Sequence, residues 1–343
     1  MKRSIISLFL AIICLASLSS CASKYEPIKS SDDELRIVGY VDKYPVYYDE
    51  LRCSVMNAKK VMGEYYGIDP DSEEFAQKYS EELKNRVFDG LKYNYAVQLL
   101  FEDGGYSIEE ANIQNAVQSK MQELIDECGS KRKYREYLEE NFLTDRLQRF
   151  NIAISYASSE LLYILNDSGA LKDYVDFDFT SISFGDIYFT LEDYSAAMDL
   201  LYSESILINT EYIFVSADIA DHESIASSCH AQLLDGASLS EIAKSNSSVS
   251  YKSLHIVEGT RDTNYFDAAK ALSHEESCCI TTSSGSFVIK RIELDPDYVN
   301  NNYYDLIYTY LSVKVNEQTE AYAKDLELVL SDFGKTLDIL KIK

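Results

Sequence analysis

The side chains best able to do metal or nucleophilic chemistry in this 343-residue chain are its four histidines and seven cysteines. They meet in sequence twice: Cys229 adjoins His230, and His274 lies four residues before Cys278. Neither spacing is that of a zinc site, and no second pair answers either one, so no metal and no other cofactor is expected. Gly-x-Ser-x-Gly, His-Glu-x-x-His and phosphate-loop patterns do not occur in the sequence, which removes the usual nucleophile, zinc-hydrolase and nucleotide arrangements. Acidic pairs are too numerous for any one to be singled out as an acid–base couple. Tyrosine is the more telling residue: there are 28, against no tryptophan. Tyr47, Tyr48, Tyr65, Tyr66, Tyr79, Tyr93 and Tyr95 fall within one stretch. A tyrosine offers an apolar ring and a polar tip at small rotamer cost, which suits loose contact with varied peptides as the wall of a cleft. A helical tyrosine packed into its own core explains the same residues, so both readings stay open.

One cysteine stands apart. Lys2 and Arg3 precede an apolar run from Ile5 to Ala16, and Leu18-Ser19-Ser20-Cys21 follows. The run has the length of a signal-peptide core and is short for a bilayer span. The ending resembles the bacterial lipobox, in which a small-residue site is cut just before a cysteine. The resemblance implies a signal peptide over 1–20, lipid on Cys21 and a place on the outer side of a bacterial membrane, since two or more acyl chains anchor stably. An ordinary signal peptide with an incidental Cys21, or an uncleaved anchor, are the alternatives. Residues 21–34, with Pro27 and a Ser30-Ser31-Asp32-Asp33 run, read as a tether. Beyond Cys14 and Cys21 five cysteines remain, an odd number without framework spacing. They read as mostly buried free thiols, and adjacent Cys278 and Cys279 would form a strained ring if joined.

The formal net charge is −25. That argues against nucleic acid as a partner, because phosphate binding rests on clustered Lys and Arg. It equally disfavours electrostatic docking on anionic lipid, while it suits solubility or attraction for basic clients. The length suggests roughly two domains.

The elements that must position these residues are α and β intermixed. Ile37–Tyr47 reads as two short strands about a turn. Asp71 and Glu74 have N-cap spacing, and Phe75, Tyr79, Leu83, Val87 and Leu91 recur every four residues along a helix that ends near Gly104. Helices follow from Ser107 to Gly129, Lys131 to Asn141 and Leu143 to Asn166. Residues 167–208 carry no motif. Then strands near 211–215, 253–257 and 286–293 alternate with helices near 223–234, 238–244 and 265–272, a compact α+β pattern. The tail from Asp297 is again helical: Ile307, Leu311, Val315, Tyr322, Leu326 and Leu330 form a stripe that needs a partner. It is expected to pack back on residues 35–166.

Several short motifs in this order resemble the SurA/PrsA group of extracytoplasmic foldases, whose inserted domain is a parvulin-type peptidyl-prolyl isomerase. Val41-Asp42-Lys43-Tyr44-Pro45-Val46 followed by Asp49-Glu50-Leu51 is similar to the opening hairpin and helix start. Tyr137-Leu138, Asn141-Phe142-Leu143-Thr144 and Arg146 are similar to a second stretch. Leu233 to Leu239 with Ile242-Ala243, Tyr265-Phe266-Asp267-Ala268-Ala269 with Ala271-Leu272, and Ser284 to Lys290 are similar to three parvulin segments. The resemblance implies an α+β fold: a helical module over 35–208, a parvulin-like insert over 209–293, and a returning C-terminal helix over 294–343.

It also implies a pocket made of Tyr212, Phe214, Phe266, Phe287 and Ser284, with Thr282 and Ser283 as alternative polar counterparts. Here the sequence departs from the family. The usual histidines of the first and last strands are replaced by Tyr212 and Phe287, and no catalytic residue can be assigned. Prolyl isomerisation requires relief of amide conjugation over a barrier of ~18–20 kcal/mol in an apolar pocket with placed polar groups. Tyr212 could still hydrogen-bond; Phe287 could hold a prolyl ring or simply fill the core. The implied function is a membrane-anchored chaperone for unfolded, secreted polypeptides with a weak or silent isomerase domain. An active isomerase with an unusual pocket and a lipoprotein scaffold are the competing readings.

Overall fold

The computed structural model describes residues 25–171, 174, 179–182, 186–189, 191–203 and 206–343. Cys21 and the segment before it lie outside the described residues. The chain is α+β and divides into two units. One gathers the residues up to Tyr95 with Ser107–Tyr156 and Glu327–Lys343; the other gathers Ala96–Tyr106 and Ala157–Leu326.

In the first unit β1 (Ile37–Val41) and β2 (Tyr44–Tyr47) form the expected hairpin. Its turn passes through Asp42 at φ 51°, a conformation that short polar side chains tolerate. Helix α1 (Tyr48–Tyr66) follows at once, with the Glu50 side chain reaching back to the Tyr47 amide, and ends on Gly67 at φ 64°. Helix α2 (Glu73–Asp103) starts one residue away from the expected cap: Ser72 Oγ accepts the Phe75 amide at 3.2 Å. The four-residue repeat is real, since Phe75, Leu83, Val87 and Leu91 are all buried. Helices α3 (Ala111–Cys128), α4 (Lys131–Glu140) and α5 (Asp145–Asp167) follow.

The tail departs from the helical reading. Its helix stops at Asp325, and Leu328–Leu330 forms strand β9, antiparallel to β1 with Gly39 opposite Leu330. Apolar spacing of four fits a helix, but three residues are enough for a strand once an edge is available. A Cβ on Gly39 would lie 2.8 Å from the Val329 carbonyl oxygen, so this pairing needs glycine. Ser331 continues the link, its amide and hydroxyl donating to the Val38 and Ile37 carbonyls at 3.0 and 2.7 Å.

In the second unit β3 (Phe179–Ile182) and β4 (Asp186–Phe189) pair as a hairpin ahead of helix α6 (Leu191–Tyr202), within the stretch that carries no sequence motif. A four-stranded antiparallel sheet follows. Its strands are β5 (Leu207–Ser216), β6 (Ser250–Val257), β7 (Ser277–Thr282) and β8 (Gly285–Ile292), in the order β6-β5-β8-β7. Helices α7 (His222–Leu234) and α8 (Leu239–Ser245) cover one face, and α9 (Thr263–Lys270) covers the other. Helix α10 (Pro296–Asp325) closes the unit, its N-terminus capped by Asp295.

Candidate functional site

β5 lies between β6 and β8, so both of its edges are paired, and its residues alternate between the two helix-covered faces of the sheet. Ile213 and Val215 face α7 and α8, whereas Tyr212 joins the cluster beneath α9, with Phe214 packed against it. Register puts Phe287 opposite Phe214 and Ile289 opposite Tyr212. α9 opens at Asp262, which accepts the Tyr265 amide at 3.3 Å, and this cap seats Tyr265 and Phe266 on the same face. Four of the five expected pocket residues, Tyr212, Phe214, Phe266 and Phe287, are thus brought together.

They meet as a packed core. Phe287 has its ring centroid 4.7 Å from that of Phe214, 5.2 Å from Tyr265 and 5.7 Å from Tyr212. Tyr212 meets Tyr265 edge-on at 5.7 Å. These are distances of direct ring contact. Tyr212 is 4% and Phe287 8% exposed, so these two rings are closed off from solvent. The polar edge of the cluster is one that sequence reasoning missed. Arg261 Nη2 donates to the Tyr212 hydroxyl at 3.1 Å, and its guanidinium sits 5.1 and 5.2 Å from the Tyr212 and Tyr265 ring centres. The Tyr265 hydroxyl lies 3.1 Å from Thr210 Oγ1, and burial pushes its pKa up to about 12.

Ser284 does not join this cluster. It is exposed in the β7–β8 turn, its Oγ 2.9 Å from Thr282 Oγ1 and its carbonyl accepting the Ala217 amide. Gly285 follows at φ +146°, where a Cβ would meet the Val215 carbonyl oxygen. The buried serine is its neighbour Ser286, whose Oγ is 2.8 Å from His222 Nδ1 and 3.0 Å from Thr281 Oγ1. That serine–histidine distance is one a nucleophile would have, but Ser286 is fully buried, so the contact pins α7 to the sheet and offers no hydroxyl to a substrate.

The other histidines and cysteines are spread out. His230 Nε2 lies 3.1 Å from Ser277 Oγ, and the His255 ring stacks on Tyr298. Burial lowers the His255 pKa, against an opposing pull from Asp295. Cys278 packs on the Tyr212 face and Cys279 on the face that holds Cys229. Burial raises all three thiols. Neighbouring strand residues point to opposite faces, which separates the adjacent pair.

In the first unit the two stretches quoted for the family resemblance meet. Arg146 donates through Nε to Asp49 Oδ2 at 3.0 Å and through Nη2 to Glu50 Oε1 at 2.8 Å. Asp49 also accepts from Thr144 Oγ1 at 2.6 Å, and Glu50 from the Tyr95 hydroxyl at 2.7 Å. Both carboxylates are buried. Burial pushes Glu50 above the usual carboxylate range, opposed by the Arg146 charge and the Tyr95 hydrogen bond. A second knot lies beside it. Tyr25, expected within a tether, is 8% exposed and donates to Asp145 Oδ2, while the Tyr134 hydroxyl donates to Asp145 Oδ1 at 3.3 Å.

Of the tyrosines singled out in the sequence, some are core and some lie at the surface. Tyr95 is core. Tyr65, Tyr66 and Tyr79 form a surface array: Tyr66 stacks on Tyr79 with centroids 4.0 Å apart, and Tyr65, 63% exposed, meets Tyr66 edge-on.

No family model matches the chain, and no curated protein does. Among solved structures it is similar to the foldase protein PrsA of Streptococcus pneumoniae, at 15% identity over 77% of this chain and 92% of that one, with a TM-score of 0.34. It is also similar to the peptidylprolyl isomerase PrsA of Bacillus anthracis, at 16% identity over 67% and 95% of the two chains (TM-score 0.33). The corresponding figures for the Bacillus cereus protein are 14%, 88% and 91% (TM-score 0.30). These neighbours are PrsA-type foldases.

Proposed function

We propose that this protein is a lipid-anchored, extracytoplasmic chaperone that holds unfolded, secreted polypeptides, and that its parvulin-like domain is silent or nearly so in prolyl isomerisation. The observation that carries the reading is the ring closure around Phe287. With Phe214, Tyr212 and Tyr265 in direct contact with it, a proline side chain has no slot beside Tyr212. Apolar surface is offered in the first unit instead. Tyr65 and Val61 are exposed on α1, and Tyr40 and Val329 are exposed and paired across β1 and β9. Exposed apolar groups of this kind would give an unfolded chain apolar area to bury. Lipid on Cys21 would hold the protein where secreted chains emerge.

The test is a refolding assay on a protein limited by one prolyl bond, recording rate and yield with soluble protein that starts at Ala22. A higher yield at unchanged rate is expected. A faster rate would instead favour an active isomerase. For that second reading the specific support is the Arg261–Tyr212 contact, a donor pair at the edge of the ring cluster.

A further inference from the structure

The first unit contains a groove between α1, α2 and α5 with a volume of about 350 Å³. Ser54 and Val61 stand on its α1 side, Arg86, Gly90 and Asn94 on its α2 side, and Asn151 on α5. The side chains of Arg86, Asn94 and Asn151 make no hydrogen bond or ion pair with any other described residue. Asn94 and Asn151 are nevertheless half-buried. Two carboxamides and a guanidinium therefore point unspent chemistry at one concave space.

We infer that this groove binds the backbone of an extended polypeptide segment, an inference that rests on the holding role proposed above. A carboxamide carries the same N–H and C=O pair as a peptide group, so it can meet a backbone amide at two points, and the Arg86 guanidinium has donors for carbonyl oxygens. The walls allow close approach: a Cβ at Gly90 would find only Ser54 Oγ, at 3.9 Å. Along α1 the lining runs from Glu50 to Val61, about 16 Å at 1.5 Å per residue, or roughly five residues of extended chain. Two other ligand classes, stacked bases and cations, lack a partner here. No aromatic ring lines the groove to stack a base. Its one carboxylate, Glu50, is committed to Arg146 and Tyr95, which leaves nothing for a cation. Recognition of backbone rather than side chains is what varied clients require.

The experiment titrates the folded protein with acetyl-pentaalanine amide and with the same peptide N-methylated at its central residues, following the asparagine side-chain amides by NMR. Methylation removes backbone donors and leaves the peptide chain in place. The unmodified peptide is expected to bind about tenfold more tightly, the size of two hydrogen bonds, and to shift Asn94 and Asn151. Asn94→Leu/Asn151→Leu should abolish that preference, and the surface change Arg86→Gln, which removes a donor to carbonyl oxygens that both peptides keep, should weaken binding of both at least twofold, whether or not the double variant folds. Equal affinity for the two peptides, or an unchanged affinity for both in Arg86→Gln, overturns the inference. Suppression of client aggregation is measured in parallel. Suppression by the wild type that persists in a variant without the peptide preference overturns the groove as the client site and leaves the holding role intact. A wild type that discriminates the peptides yet suppresses nothing supports the groove and overturns the holding role.

Discussion

Arg146 reaches Asp49 across 97 positions of sequence, its Nε 3.0 Å from Oδ2, and the same guanidinium takes Glu50. Asp49 is 2% and Glu50 4% exposed. Two adjacent carboxylates at the start of α1 thus share one cation at the start of α5. Removing that cation leaves uncompensated buried charge, which costs about 3–5 kcal/mol. Arg146→Ala is therefore expected to lower unfolding free energy in urea by about 3 kcal/mol. Arg146→Lys should fall between, because an ammonium cannot make the two-point contact. A loss below about 1 kcal/mol in Arg146→Ala would mean that water enters the cluster.

Legibility followed the range of the interaction. The four-residue repeat from Phe75 to Leu91 and the strand around Tyr212 are local patterns, and both elements formed. β7 escaped because Ser277-Cys278-Cys279-Ile280-Thr281-Thr282 shows no clean alternation; it is a strand because β8 pairs with it. β9 escaped because Leu326 and Leu330 keep helical spacing, while the edge of β1 is far away in sequence. In the candidate pocket, the family resemblance was enough to pick four rings that meet. The polar partner was misplaced by geometry: Ser284 and Ser286 are two apart, yet one is in a turn and the other under α7. Arg261 carried no pattern and became visible only through its contact with Tyr212. For the Asp49–Arg146 contact a signal did exist, since two adjacent acids heading an amphipathic helix need a cation if that helix end is buried.

Lys59 holds the end of the described chain. Its Nζ is buried and donates to Asp71 Oδ1 at 2.9 Å and to the Leu340 and Ile342 carbonyls at 2.7 and 3.2 Å. The Lys59 hydrogen bond, then its charge, lowers the Asp71 pKa. A carboxylate with a lowered folded pKa stabilises above its ordinary range, and that contribution is lost as pH falls through the lowered value. Lys59→Met should return the Asp71 titration, read by NMR, to the ordinary range. It should also speed amide exchange over 337–343, with a loss of about 1–3 kcal/mol for the orphaned carbonyls. An unmoved Asp71 titration would show that the ion pair does not form in solution.

Gly285 sets how closely the β7–β8 turn approaches β5. An alanine there would place Cβ 2.1 Å from the Val215 carbonyl oxygen at a backbone angle alanine rarely adopts. Gly285→Ala is expected to destabilise the four-stranded sheet by about 1–3 kcal/mol, seen as faster amide exchange in β5 and β8. Ser284→Ala, in the same turn but exposed, should change stability by less than about 0.5 kcal/mol.

Lipid attachment gives a prediction that needs no folding assay. Expressed from the full sequence in a bacterial host fed labelled palmitate, the protein should carry label and partition with membranes, and Cys21→Ser should do neither. Label retained in Cys21→Ser would place the lipid elsewhere or the label on another thiol.

Phe287 separates the silent from the active isomerase. As a buried ring it should cost about 3–5 kcal/mol on truncation to alanine, and Phe287→Leu, closer in volume, should cost less. If the cluster is only a core, Tyr212→Phe removes the hydroxyl that Arg261 reaches and leaves prolyl-limited refolding at the uncatalysed rate in both wild type and variant. If Tyr212 takes part in catalysis, the wild type must first accelerate that refolding, and Tyr212→Phe must slow it without lowering the yield. Stability measured on the same samples decides between them, since a fall in rate that tracks a fall in stability reports packing, and a fall in rate at constant stability reports chemistry.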